Sequence, residues 1–186
     1  MSSARLYRGI GGNWSPHAEF VDALISERMR PRGFSGKRTG KTSIHATPRL
    51  EQALDYAKNG QVTHVQMVTP LPGSVVTWVP GMADMLLAFE THVRELYWDG
   101  HACPVLRDAA GDVNVLDTYL SLGRQKKAIS RLVDDFLATV EPQEFIVGGD
   151  EDVIARLGSH TGEVWITGPY VSEPYAEPDT ELSPTF

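Results

Sequence analysis

Every apolar stretch of this chain is short, and glycine, proline or charged residues follow soon after each one. The stretches that have the composition of β-strands read ARLYRGI, TSIHAT, QVTHVQMVT, SVVTWV, QEFIVGG and GEVWITG. Such short strands, separated by helices of uneven number and length, do not suit a regular doubly wound parallel sheet. Their order therefore predicts a mixed α+β fold.

Apolar residues recur at helical spacing between these strands. The first helix is predicted over residues 16–29, because Phe20 and Leu24 lie on one face and Pro16 suits the first helical position. Further helices are predicted over residues 48–58, 81–100, 115–140 and 150–158. These helices would flank the strands rather than alternate with them regularly.

Length and composition fit one folded domain. The chain has 186 residues, of which 41% are hydrophobic and 22% are charged, which is enough for one ordinary core. We assign residues 1–170 to this domain. Residues 171–186 form an acidic, proline-rich tail that we expect to be flexible, because few of its residues can offset the entropy lost on ordering.

The net charge of −7 argues against a protein whose main task is to neutralise nucleic-acid phosphates. A local basic run from Arg28 to Lys41 is compatible with that balance. The single cysteine, Cys103, cannot form an internal disulfide, which favours a reducing compartment. No stretch has the length and apolarity of a membrane span or a signal region. We therefore expect a cytoplasmic protein, in the cell that makes it or in a target cell, without a membrane partner.

The segment GKRTGKTS looks like a phosphate-binding loop, but its spacing is wrong. The pattern requires a glycine five residues before Gly40, and Ser35 occupies that position. A buried strand should precede the loop and a helix should follow it. The charged segment before Arg32 and the short segment that ends at Pro48 fit neither requirement. We therefore expect a basic loop at the mouth of a cleft.

Several short motifs, in chain order, resemble those of ADP-ribosyltransferase toxins and toxin-like mono-ADP-ribosyltransferases. They are LYRG at residues 6–9, ISERMRPRG at 25–33, SIHATPRLEQALDYA at 43–57, and the glutamate that opens QEFIVGG, Glu144. The resemblance implies a mostly antiparallel, split β-sheet core with flanking helices. It also implies that residues 1–170 are a catalytic domain that uses NAD as its substrate.

The resemblance assigns catalysis to Glu144, Ser43 and His45. Cleavage of the bond between nicotinamide and ribose develops positive charge on the sugar, and a nearby carboxylate stabilises it. Glu144 would supply that carboxylate. On a strand, residues 43, 45 and 47 share one face, so their side chains would orient the glutamate and the ribose.

Four residues are implied as NAD contacts: Arg8, Gly9, Thr47 and Tyr56. Arg8 would hold the phosphates, since its planar guanidinium can bond two phosphate oxygens at once and stays charged. Gly9 would leave room for a backbone contact with the nicotinamide amide. Tyr56 corresponds to an aromatic of the family's second helix, although taken alone it favours core packing.

The chain departs from the family pattern in two places. The spacing to Ala53 places His45 where the family has its first serine, and it stays open which of Ser43, His45 and Thr47 takes that part. Members that modify arginine have Glu or Gln two residues before the catalytic glutamate. Here that position is Pro142, which puts arginine modification in doubt.

The resemblance implies transfer of ADP-ribose to a macromolecular acceptor, a protein or a nucleic acid, by a toxin or effector. Such an enzyme can have an inhibitor or immunity partner. Two alternatives stay open: an NAD glycohydrolase toxin that transfers to water, and a non-catalytic α+β interaction module of phage or bacterial origin. Taken alone, Glu144 reads as a solvated strand residue and His45 as a core histidine. No metal is expected, because the histidines show no ligand spacing.

Overall fold

The computed structural model describes residues 5–10, 16–29, 43–58, 64–98, 126–149 and 152–176. Within these residues the helices are α1 (Pro16–Met29), α2 (Leu50–Lys58), α3 (Met85–Trp98), α4 (Lys126–Ala138) and α5 (Val153–Leu157). The strands are β1 (Leu6–Ile10), β2 (Ser43–Ala46), β3 (His64–Pro70), β4 (Val75–Trp78), β5 (Gln143–Ile146), β6 (Val164–Thr167) and β7 (Tyr170–Pro174). The prediction of a mixed α+β fold is confirmed.

The described strands form two antiparallel sheets. Sheet A has the order β1-β3-β7, and sheet B has the order β2-β6-β4-β5. The two sheets meet at one isolated antiparallel bridge, between Tyr7 at the start of sheet A and Thr47 just after β2. The mostly antiparallel arrangement expected from the sequence is therefore present.

The hydrophobic core lies on both faces of sheet B. Between the two sheets, Leu6 and Val68 of sheet A pack with Ile44, Val76 and Ile166 of sheet B. On its other face, sheet B carries a helical layer made of α1, α3 and α4. Trp165 of β6 packs into that layer beside side chains such as Ile25, Phe89 and Val133. Successive strand residues point to opposite faces, so each strand of sheet B contributes to both regions.

Helix α2 covers the outer face of sheet A. Its residues Ala53 and Ala57 are fully buried against Val65 of β3, with Tyr7 and Tyr175 beside them. Small side chains on this helix allow its backbone to approach the sheet closely. As a result, α2 lies next to the bridge that joins the two sheets.

Several boundaries differ from the predictions. The predicted tail begins inside an ordered element, because Tyr170–Pro174 form β7, which pairs with β3. Helix α2 begins at Leu50 rather than at Pro48, since Thr47 and the residues after it form a turn in which the hydroxyl of Thr47 accepts the amide hydrogen of Arg49. The predicted helices over 81–100 and 115–140 correspond to α3 and α4 where the chain is described.

Other predictions concern residues outside the described ranges. They include the basic loop within 30–42, Cys103, the first part of the predicted helix 115–140, and the tail after residue 176. In the described part of the chain, none of the helices has the length and apolar character needed to cross a membrane.

Candidate functional site

Buried and half-buried polar side chains cluster where β2, α2, β6 and the start of α3 meet. The bridge between Tyr7 and Thr47 brings β1 beside the end of β2, through two backbone hydrogen bonds of 2.7 and 2.8 Å. Gly9 follows on β1 and faces α2. A Cβ atom at Gly9 would overlap the carbonyl oxygen of Ala53, so the helix can lie this close only because position 9 is glycine.

A contact between the side chains of His45 and Glu163 is central to this cluster. Nδ1 of His45, on β2, lies 2.6 Å from Oε1 of Glu163, the residue that precedes β6. The Glu163 side chain is 4% exposed and that of His45 is 21% exposed. An ionised carboxylate can only accept, so Nδ1 carries the hydrogen in this pair. In the neutral ring, Nε2 is then the nitrogen that can accept a proton.

The first turn of α3 holds the second oxygen of the same carboxylate. The amide nitrogen of Met85 donates to Oε2 of Glu163 at 3.0 Å. The residue before it, Asp84, caps the helix, because its Oδ1 accepts the amide hydrogen of Leu87 at 2.8 Å. Two carboxylates therefore lie at the N-terminus of α3, where the helix dipole stabilises negative charge.

A chain of hydrogen bonds connects these carboxylates to β2 through α2. The hydroxyl of Tyr56 donates to Oδ2 of Asp84 at 2.6 Å. The side-chain nitrogen of Gln52, Nε2, donates to Tyr56 Oη at 3.0 Å and to the carbonyl oxygen of Ala83 at 2.8 Å. The Gln52 side-chain oxygen accepts from the hydroxyl of Thr47 at 2.9 Å. Gln52 thus links the end of β2 to the start of α3.

The surroundings of Tyr56 and His160 shift the pKa values of these two side chains. Burial raises the pKa of Tyr56, and the Asp84 carboxylate beside it raises that pKa further. Tyr56 therefore keeps its proton, and can donate it to Asp84, beyond the pH at which an ordinary tyrosine ionises. Burial lowers the pKa of His160, whose Nε2 lies 3.1 Å from the carbonyl oxygen of Glu163. Neutral His160 must carry hydrogen on Nε2 to make that bond.

The turn before β6 places Glu163 by close packing. A Cβ atom at Gly162 would overlap the carbonyl oxygen of Met82. The amide nitrogen of Glu163 also donates to the carbonyl oxygen of Ala83 at 2.8 Å. Both contacts are with the segment just before α3, so they hold Glu163 beside the start of that helix.

The structure brings together some of the residues predicted for the site. His45, Thr47 and Tyr56 lie in the cluster, and Gly9 lies under α2 beside it. Ser43 lies two residues before His45, and its Oγ is 3.4 Å from the hydroxyl of Thr167.

Arg8 and Glu144 lie elsewhere. Arg8 has the same parity on β1 as Leu6, which faces the space between the sheets, so it points away from α2. Glu144 is on β5, at the opposite end of sheet B from β2. The pairing register places both His45 and Glu144 in one row across sheet B, three strand spacings apart. Their backbones are therefore separated by about 14 Å.

Three residues of the cluster were not among the sequence candidates: Glu163, Gln52 and Asp84. A signal for Glu163 was present, because GEVWITG and QEFIVGG are both late strand patterns with a glutamate at the second position. Choosing between the two requires the pairing partner of β2, which is β6. Asp84 could be found as a helix cap, whereas Gln52 carries no such pattern.

Chemically, the cluster can hold an ionised carboxylate away from water and present an imidazole that such a carboxylate orients. This arrangement suits acid–base chemistry and the stabilisation of positive charge. Within the described residues, no group of three or more His, Cys, Asp or Glu side chains could hold a metal ion.

Comparisons of the chain with known protein families, with curated proteins and with solved structures found no match. The resemblance to ADP-ribosyltransferases therefore stays a prediction, which has its basis in the order of short motifs.

Proposed function

We propose that the chain cleaves the nicotinamide–ribose bond of NAD and transfers ADP-ribose to a macromolecular acceptor, with Glu163 as the reacting carboxylate. The contact between His45 and Glu163 supports this proposal most directly. The resemblance requires that a polar residue of the second strand orients a glutamate that opens a later strand. His45 is in the position of the family's serine, and Glu163 is the glutamate that it contacts.

In this proposal Glu163 takes the role that the sequence suggested for Glu144. Bond cleavage gives neutral nicotinamide, which leaves with the bonding electron pair, and positive charge develops at the ribose carbon. A carboxylate in a site shielded from water stabilises that charge more than it would in solution. The amide hydrogen of Met85 keeps the carboxylate in place during the reaction.

His45 has two parts in the same scheme. Its Nδ1–H orients Glu163, and its Nε2 takes the proton from the acceptor group as that group bonds to the ribose carbon. The imidazole is the more exposed member of the pair, so substrate approaches the carboxylate from the His45 side. The proposal does not depend on Arg8, which lies on the other face of β1.

One observation favours the non-catalytic alternative. Both carboxylate oxygens of Glu163 already have partners within the protein, and its side chain is 4% exposed. In that alternative, the buried contact has a purely structural role and joins β2, β6 and α3. The two functions differ in one measurable result, which is the release of nicotinamide.

The test measures nicotinamide release from NAD by the full chain, with and without cell extract. Release that requires extract indicates a transferase, and release without it indicates a glycohydrolase. No release by the unaltered chain in either condition would establish the interaction module instead.

Two matched variants show which glutamate, Glu163 or Glu144, is the reacting carboxylate. Glu163→Gln should lower the rate of release about 10²- to 10³-fold, because the amide keeps the size of the side chain but removes its charge. Glu144→Gln should leave the rate within about twofold. Thermal unfolding of both variants shows whether the fold is retained. Retained activity in Glu163→Gln together with its loss in Glu144→Gln would return the role to Glu144.

A further inference from the structure

A groove of about 870 Å³ runs along α3 and begins beside Asp84, at the edge of the cluster. Helix α3 has two faces that differ in character. Met85, Phe89 and Val93 are buried in the helical core. Asp84, Leu87, Ala88, Thr91, His92 and Glu95 line the groove, at the spacing expected for one side of a helix. The end of α4 and the segment that leads to β5 form the opposite wall.

The carboxylates give the described lining of this groove charge of one sign. Asp84, Glu95 and Glu141 line it, and among the described residues that line it none is lysine or arginine. Glu95 and Glu141 are exposed. Clefts lined by one sign of charge attract ligands of the opposite sign. Phosphate groups, including those of NAD, are therefore disfavoured here.

The groove also exposes apolar surface. Leu87 is 58% exposed, which makes it one of the exposed large hydrophobic residues in the described part of the chain. Val140 lies on the opposite wall, half-buried, and the buried ring of Phe136 also lines the groove. An apolar surface bordered by carboxylates suits a segment that is both basic and apolar, rather than a small cation.

The length of the groove limits the size of its occupant. From Asp84 to Glu95 the helix rises about 16 Å. An extended peptide covers that distance in about five residues. Two basic residues at this separation could each lie beside a carboxylate while the apolar residues between them contact Leu87.

We propose that this groove binds an extended segment of a partner protein that has apolar residues between two basic ones. Three observations support it: the single sign of charge in the lining, the exposed leucine, and the continuity of the groove with the candidate site through Asp84. The inference does not depend on NAD cleavage. If the chain is a transferase, the groove places a basic acceptor beside the cluster.

The test is a direct binding measurement without NAD. The probe is a fluorescently labelled peptide with two arginines about five residues apart and leucines between them. A matched peptide has glutamates in place of the arginines. We expect fluorescence anisotropy to show saturable binding of the basic peptide that weakens with added salt, and no binding of the acidic one.

Two groove variants and one control locate the site. Glu95→Gln/Glu141→Gln should weaken binding about fivefold at low salt, and Leu87→Ser should weaken it about tenfold. The control Asp135→Asn/Glu173→Gln removes the same charge from exposed positions outside the groove and should leave affinity within about twofold. Circular dichroism checks that each variant is folded.

Three outcomes would overturn the proposal. One is the absence of saturable binding up to about 1 mM peptide, an affinity too weak for a specific site. The second is an equal loss of affinity in the groove variants and the control, which would show a general effect of net charge. The third is self-association of the chain that Leu87→Ser abolishes, which would assign the groove to a second copy.

Discussion

The two ends of sheet B carry similar sequence patterns and have different environments. At one end, Glu163 precedes β6, is 4% exposed, and has an imidazole and a helix N-terminus as partners. At the other end, Glu144 is the second residue of the edge strand β5, is half-buried, and accepts from the hydroxyl of Thr77 at 3.1 Å. The difference shows that a strand-opening glutamate gains chemical character from its neighbours in the sheet.

The positions of α2 and α3 explain why the buried, hydrogen-bonded glutamate is at the β2–β6 end of sheet B. Helix α3 begins at Met85, directly beside Glu163, so the amide hydrogen of Met85, which has no partner within the helix, donates to that carboxylate. Helix α2 lies at the same end, where Gln52 and Tyr56 bond to Ala83 and Asp84. The helix termini thus create a site for negative charge at the β2–β6 end of the sheet.

The largest difference between the two ends is expected in the free energy of unfolding that is lost when each glutamate is replaced by alanine. Glu163→Ala removes a partner from His45 and from the amide hydrogen of Met85, and should lower the free energy of unfolding by about 3 kcal/mol. Glu144→Ala should lower it by less than about 1 kcal/mol, because water can replace the carboxylate at a half-exposed position. Urea unfolding of both variants measures the difference. Equal losses would mean that the two ends are alike.

The glycines next to these strands provide the second comparison. Gly162→Ala should lower the free energy of unfolding by about 2 kcal/mol, because the new methyl group would overlap the carbonyl oxygen of Met82. At Gly149, after β5, a Cβ atom would meet no atom within 4 Å. Gly149→Ala should therefore change stability by less than about 0.5 kcal/mol. A tolerated Gly162→Ala, measured by urea unfolding, would show that the turn before β6 can move.

Much of the fold could be predicted from the sequence because its signals are local. The helix predicted over residues 16–29 matches α1, and the short apolar runs correspond to β1–β6 with small errors at their ends. The tail boundary at residue 170 was wrong, because β7 depends on pairing with β3 rather than on its own composition. Its polar, proline-containing sequence gives no local sign of a strand.

The candidate site could be predicted only in part, because sheet order is not a local property. The position of His45 on a strand came from its flanking residues. The partner of His45 depends on which strand pairs with β2, and β6 is distant from β2 in the chain. Sequence order alone led to Glu144, and Glu163 was not among the candidates. Gln52 illustrates the same limit, because its bonds join three segments that only the tertiary fold brings together.

A smaller effect is expected for the link between α2 and α3, which exists only at the β2–β6 end. Tyr56→Phe removes the bond to Asp84 and should lower the free energy of unfolding by about 1.5 kcal/mol at neutral pH. The folded-state pKa of Tyr56 is raised, so the folded chain keeps this proton where the unfolded chain loses it. The stabilisation is therefore present below the ordinary tyrosine pKa of about 10 and declines as pH rises beyond it.

The matched control for that link is Tyr170→Phe, on the edge strand β7. Thermal unfolding of both variants and the unaltered chain between neutral and alkaline pH separates the two tyrosines. The difference between Tyr56→Phe and the unaltered chain should shrink above pH ~10. Tyr170→Phe gives the effect of removing a tyrosine hydroxyl elsewhere in the fold. A constant difference across this range would mean that the Tyr56 hydroxyl titrates normally.

The smallest effect is expected for His160, which tests how the turn before Glu163 responds to acid. Burial lowers the folded-state pKa of His160, so below its ordinary pKa of about 6.5 the unfolded chain binds a proton that the folded chain does not. Its contribution to stability is present above that pH and is lost as pH falls below it. The bond to the carbonyl oxygen of Glu163 opposes the shift, which keeps the effect small. His160→Gln can still donate to that oxygen but does not titrate, so its melting temperature should fall less than that of the unaltered chain between pH ~7 and ~5. If the melting temperatures of the two proteins fall equally across that pH range, His160 takes up its proton as readily in the folded chain as in the unfolded one.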